Sequence, residues 1–148
     1  MHLQLPIRSM NEYNQLLTSR SFWDGLTEKV LIFQHDAGLL KERIEEFLEW
    51  EYVGAPWSFQ HDGGNGGLSL RSRDAMIKVI ENVPYDGTMN EDIYFCHGLK
   101  ELGLNLAPRE VCEKFSVESV FKMGTLGWHG IDTWLTPDQC REIRGQYA

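Results

Sequence analysis

The first regular pattern along the chain is SMNEYNQLL. Ser9 stands three residues before Glu12, the spacing of a capping box, and Tyr13, Leu16 and Leu17 follow at helical intervals. A second short helical piece is expected over residues 22–26. KVLIFQHD then carries a short apolar run at residues 30–33, which reads as a buried strand ending in Gln34, His35 and Asp36. In α/β sheets the carboxyl end of such a strand delivers functional groups. Ile44, Phe47 and Leu48 give residues 40–50 an apolar stripe, and a helix is expected there.

YVGAPW reads as a strand that Pro56 terminates. Beyond a glycine loop, GLSLRS reads as another strand, and Ser72 or Arg73 opens a helix through Met76, Val79 and Ile80 that Pro84 closes. A polar loop around residues 86–90 leads to a helix over residues 91–102, with Asn90 as its cap. PREVCEKF is a short helix with proline in its first turn, SVESVF a strand, and MGTLGWHGIDTW an aromatic loop broken by glycine. The last helix begins TPDQCREIR, with Thr136 as cap and Pro137 at its first position. This order predicts one mixed α/β domain over residues 1–148, with four or five short strands and no repeats or linkers.

Composition narrows the partners. A length of 148 residues with 42% hydrophobic and 24% charged positions suits one globular domain with a real core, not a disordered chain. A net charge of −8 argues against nucleic-acid phosphate, which requires clustered Lys and Arg. No apolar stretch is long enough to span a bilayer, and MHLQLPIRSM lacks the apolar centre of a signal peptide. Cys96, Cys112 and Cys140 show no metal-type spacing and read as buried small hydrophobes in a reducing compartment, so a cytoplasmic location is expected. Five Trp supply aromatic faces of the kind that stack on sugars or apolar ligands.

Four features carry candidate chemistry, and each also has an ordinary structural explanation. Asp36 at a strand end is a turn residue or a carboxylate ligand for Mg²⁺ or Mn²⁺. Glu91 and Asp92 at a helix start complement the helix dipole, or one of them acts as a general base. His129, between two glycines and after Trp128, is a surface loop residue or a metal ligand. The loop GGNGG lacks the lysine of a phosphate loop. One Asn-Gly would make a hairpin turn, so Gly63, Gly64, Gly66 and Gly67 are more than a turn requires. The surplus points to close approach to the backbone.

The order of these features resembles GT-A-type glycosyltransferases. There a DxD-like acid at a strand end, a glycine-rich loop, an xED acid pair and a C-terminal histidine follow one another. More closely, LIFQHD, FLEWEYVGAPW, GGNGGLSLRSR, NEDIYF, FSVESVF and LGWH resemble a glycosyltransferase-like family with this layout, over residues 13–134. The resemblance implies an α/β fold with a mixed sheet flanked by helices. Its N-terminal nucleotide-binding half would be shortened or missing, because only about thirty residues precede Asp36 where on the order of a hundred are usual.

It implies a metal-dependent transfer of a hexose from a sugar nucleotide, such as a UDP- or GDP-sugar, to the hydroxyl of a glycan or other acceptor. Asp36 and His129 would hold Mn²⁺ or Mg²⁺, and Gln34 stands where the usual motif has a first acid. Asp92, beside Glu91, would deprotonate the acceptor. Asn65, Gly66 and Gly67 would contact substrate, framed by Arg71, Trp57 and Trp128. The alternative is a non-catalytic carbohydrate-binding or interaction module derived from such an enzyme.

Overall fold

The computed structural model describes residues 7–59 and 62–146, so the first six residues of MHLQLPIRSM lie outside it. The architecture is mixed α/β: two small sheets flanked by helices. In chain order the elements begin with helices α1 (Met10–Leu17) and α2 (Arg20–Trp23) and strands β1 (Lys29–Phe33), β2 (Ala37–Leu39), β3 (Tyr52–Ala55) and β4 (Asn65–Ser72). Helices α3 (Arg73–Asn82), α4 (Glu91–Glu101) and α5 (Arg109–Phe115) follow, then β5 (Ser116–Val117) and β6 (Gly127–His129). Helices α6 (Ile131–Trp134) and α7 (Pro137–Gly145) complete the order.

The first sheet is antiparallel with β4 in the middle, ordered β1-β4-β3. The second is mixed, ordered β2-β6-β5, with β6 antiparallel to β2 and parallel to β5. Strand alternation on β4 divides the core. Leu68 and Leu70 enter a cluster with Val53, Phe47 and Phe115, while Arg71 turns to the opposite face, where Trp23, Tyr52, Met76 and Phe95 pack under the helices. Among the described residues no helix is long and apolar enough to cross a membrane.

Two of the helix-start signals hold in detail. Ser9 Oγ accepts from Glu12 N at 3.1 Å, and Thr136 and Gln139 form a complete capping box behind Pro137. Four expectations are corrected. β1 is an edge strand rather than a buried one: Val30 and Ile32 touch one cluster and Leu31 the other, but Phe33 is 51% exposed. Residues 40–50 form only a 3-10 turn at Ile44–Phe47. Glu42/Glu46 and Glu45/Glu49 would set like charges on adjacent turns of a helix, and Leu40 N and Lys41 N are instead tied to Leu126 O.

The expected strand SVESVF is only two residues long before the chain bends at Glu118. The expected loop MGTLGWHGIDTW contains β6 and α6. Glycine's low strand preference hides β6, yet Gly127 fits there because a Cβ would lie 2.5 Å from Gly38 O and from Leu68.

Candidate functional site

β1 carries the chain to Gln34, whose N–H donates to Gly67 O at 2.9 Å and so extends the ladder by one residue. Ala37 N then donates to Gln34 O at 3.1 Å, closing a tight turn that holds Asp36. Because Ala37 pairs with His129 across β2 and β6, the turn is set beside that histidine. His129 Nε2 lies 3.0 Å from Gln34 Oε1 and 3.3 Å from Asp36 Oδ1. On the other side of the ring, Nδ1 is 3.9 Å from Glu118 Oε1. Asp36 Oδ1 and His129 Nδ1 are buried, and among the described residues neither has a hydrogen-bond partner. His35 does not join the group, since its side chain is 97% exposed.

The glycines divide into two kinds. Gly63 and Gly64 take φ of +82° and +127° and make the turn. Asn65 and Gly66 are not loop residues but open β4 ahead of Gly67, which moves the expected start of the strand back by two residues. A Cβ on Gly67 would lie 2.2 Å from His129 Nε2, and one on Gly66 would lie 2.4 Å from Arg71 and 2.6 Å from Glu91. The close approach that glycine permits here is made by the protein's own site residues. Asn65 Oδ1 accepts from Gly67 N at 2.8 Å and fixes the strand's opening.

Asp92 sits on the first turn of α4, and its Oδ2 accepts from Gly66 N at 3.0 Å. Burial, and then the Glu91 charge beside it, push its carboxyl up to about 6. Glu91 has a different role. Both of its oxygens pair with Arg71, whose side chain has no exposed surface and lies over the Tyr52 ring at 4.8 Å. Proton-accepting capacity in the acid pair therefore rests with Asp92. Arg71 is corrected from a substrate contact to a buried anchor for Glu91.

The expected cap of α4 is likewise corrected: Asn90 makes no side-chain cap bond, and Glu91 N donates to Asn14 Oδ1 at 3.1 Å. The helix is capped from α1.

These groups meet at a cavity of about 90 Å³ lined by Tyr13, Gln34, Asn65, Gly67, Asp92 and His129, among others, with α1 along one side. Tyr13 Oη is buried with no hydrogen-bond partner among the described residues, and burial pushes its hydroxyl up to about 12, so it stays a neutral donor. A larger open groove of about 740 Å³, lined by Leu39, Leu40, Ile44 and Leu126 with Lys41 and Arg43, carries none of the candidate residues.

Neither tryptophan lines the cavity. Trp57 is buried in the core and stacks on Phe59 at 5.6 Å. Trp128 alternates with His129 along β6, so it faces the other side, against Gly38 and under Arg144 at 5.0 Å. Tyr13, Asn14 and Glu118 are site residues that the sequence patterns did not single out. Tyr13 reads as part of a helical apolar stripe. Glu118 is the exception that was legible, an acid inside the otherwise uncharged run FSVESVF.

Among the described residues no group of three or more His, Cys, Asp or Glu side chains is arranged to hold a metal ion. The donors present are a carboxylate, an imidazole and the amide oxygen of Gln34. Their separations from His129 Nε2, 3.0 and 3.3 Å, are those of neighbouring donors on one small six-coordinate cation. With bonds of about 2.1 Å at right angles, such donors lie about 3 Å apart. The carboxylate and amide oxygens are of the donor type that Mg²⁺ and Mn²⁺ take, and Asp36 Oδ1 has no hydrogen-bond partner among the described residues.

A family model described as a protein of unknown function, DUF5672, matches residues 3–129. No curated protein and no solved structure matches the chain. The family match ends on His129, so every residue set around the cavity falls inside it.

Proposed function

We propose that this chain, which belongs to the DUF5672 family, is a metal-dependent glycosyltransferase that moves a hexose from a sugar nucleotide to an acceptor hydroxyl. One observation carries this reading: Gln34, His129 and the raised-pKa carboxylate Asp92 border one cavity, and Asp36 Oδ1, 3.3 Å from His129 Nε2, completes a cation-type donor set. Asp36, His129 and Gln34 would hold Mn²⁺ or Mg²⁺, which when bound supplies Lewis acidity against the charge of the leaving diphosphate.

Asp92 takes the proton of the acceptor hydroxyl as its oxygen bonds to the anomeric carbon. The bond from that carbon to the diphosphate oxygen breaks, and its electron pair leaves with the diphosphate. Gly66 N holds Asp92 Oδ2, which leaves Oδ1, bonded to Ile93 N at 2.8 Å, with a further lone pair for the incoming proton. Tyr13 and Asn65 offer neutral polar groups to the substrate hydroxyls.

A second reading, a non-catalytic carbohydrate-binding module, draws on two specific features. The cavity of about 90 Å³ is smaller than the roughly 300–1,000 Å³ of a small-molecule site, and Gln34 adds no charge to the donor set. Calorimetric titration of Mn²⁺, with and without UDP and GDP and with Asp36→Asn as control, separates the two. Nucleotide binding that needs both the metal and Asp36 supports the transferase. Glycan binding with no nucleotide or metal dependence supports the module.

A further inference from the structure

Glu118 is a buried acid that the proposed chemistry does not use. It is 6% exposed, and among the described residues no Lys or Arg comes within ion-pair distance of it. The charged groups acting on it, Asp92 and Asp36, are acids themselves. Burying a carboxylate among like charges is unfavourable unless a partner compensates it. The group set against it is the imidazole of His129, whose Nδ1 is buried without a hydrogen-bond partner, 3.9 Å from Glu118 Oε1. The unpartnered Nδ1 thus faces a carboxylate that has no cation within ion-pair distance among the described residues. Closing that gap by about 1 Å makes a hydrogen bond, and unliganded sites often hold such bonds long.

We propose that Glu118 is a positioning residue that holds the His129 ring through Nδ1, so that Nε2 stays turned toward Asp36 and Gln34. The ring is otherwise held by Gln34 Oε1, 3.0 Å from Nε2, and by contact: Gly67 lies against its Nε2, Cε1 and Cδ2 edge, and β2 pairs with its backbone. The Gln34 bond would be given up if Nε2 served a cation, and contact limits where the ring sits without choosing which nitrogen faces the donors. A carboxylate on one nitrogen does make that choice, and outer carboxylates of this kind commonly orient a metal-ligating histidine. That Nε2 serves a cation rests on the function proposed above. That Glu118 orients the ring rests on the geometry.

The test uses protein labelled with ¹⁵N-histidine, comparing wild type with Glu118→Leu and Glu118→Gln, with thermal melts to confirm folding. The leucine variant is expected to displace the Nδ1 resonance of His129 and to weaken Mn²⁺ binding about 10–100-fold. The glutamine variant keeps an acceptor opposite Nδ1 and should stay close to wild type in both. An unchanged Nδ1 resonance in Glu118→Leu, or equal damage from glutamine and leucine, overturns the proposal. If wild type takes up no Mn²⁺, the cation reading fails and the resonance alone decides the role of Glu118. Should the leucine variant not fold, Glu118→Asp withdraws the carboxylate by one methylene and must move the Nδ1 resonance; an unmoved signal overturns the proposal.

Discussion

Gly67 and His129 are in direct contact, with the Cα of one against the imidazole edge of the other, and a Cβ at position 67 would meet three ring atoms within 2.4 Å. Gly67→Ala therefore has to displace the ring or the strand. Overpacking of this kind costs about 1–3 kcal/mol. The expected result is a modest loss in urea stability with a disproportionate loss of Mn²⁺ binding, because the histidine yields more readily than the middle strand of the sheet. Unchanged metal binding would show that His129 does not depend on this packing.

If the proposed transfer holds, Asp92 sets its pH dependence. As a proton acceptor it must be ionised, and burial has raised its carboxyl from 3.8 to about 6. Activity, as kcat/KM, should therefore fall as pH drops through about 6, and Asp92→Asn should lack turnover while keeping its fold. The stability term has the opposite sense. The folded state holds this proton more tightly than the unfolded state, so the contribution is full below pH 3.8 and is lost as pH rises through about 6. Urea midpoints across that window should fall more steeply in wild type than in Asp92→Asn, where the Glu118 carboxyl, raised by burial to about 7, still contributes. An acid limb identical in a residual-activity Asp92 variant would assign the proton transfer to another group.

Arg71 and Glu91 test the division between anchor and chemistry. Removing one partner leaves a buried charge, so Glu91→Leu or Arg71→Met alone should cost about 3–5 kcal/mol. The double variant should recover much of that loss, because it removes the uncompensated charge. Denaturant melts of all four proteins measure the coupling. Additive losses would mean that the pair is not the unit the geometry indicates.

Much of the frame was legible. Ser9, Thr136 and Pro137 marked helix starts by local chemistry, and local chemistry is what a sequence displays directly. QHD, GNGG, NED and WH were separately visible, and the fold brings Gln34, Asp36, Asn65, Gly67, Asp92 and His129 together. What could not be read was set by distant partners. Arg71 looked available until Glu91, twenty residues on, closed over it. Asn90 looked like a cap, but Asn14 caps that helix from the other end of the chain. Trp128 and His129 are neighbours in sequence but face opposite ways, a fact fixed only when GWH is known to be a strand.

The place of β6 between β2 and β5 has a consequence for biosynthesis. Neither outer strand of that sheet has a neighbour until residues 127–129 leave the ribosome. At ordinary translation speeds β2, with the Gln34–Asp36 turn at its start, waits roughly 5–20 s for its partner. During that interval the acids have already emerged while the histidine that meets them has not. The site is therefore assembled only once β6 has emerged, and the nascent chain carries an open strand edge until then.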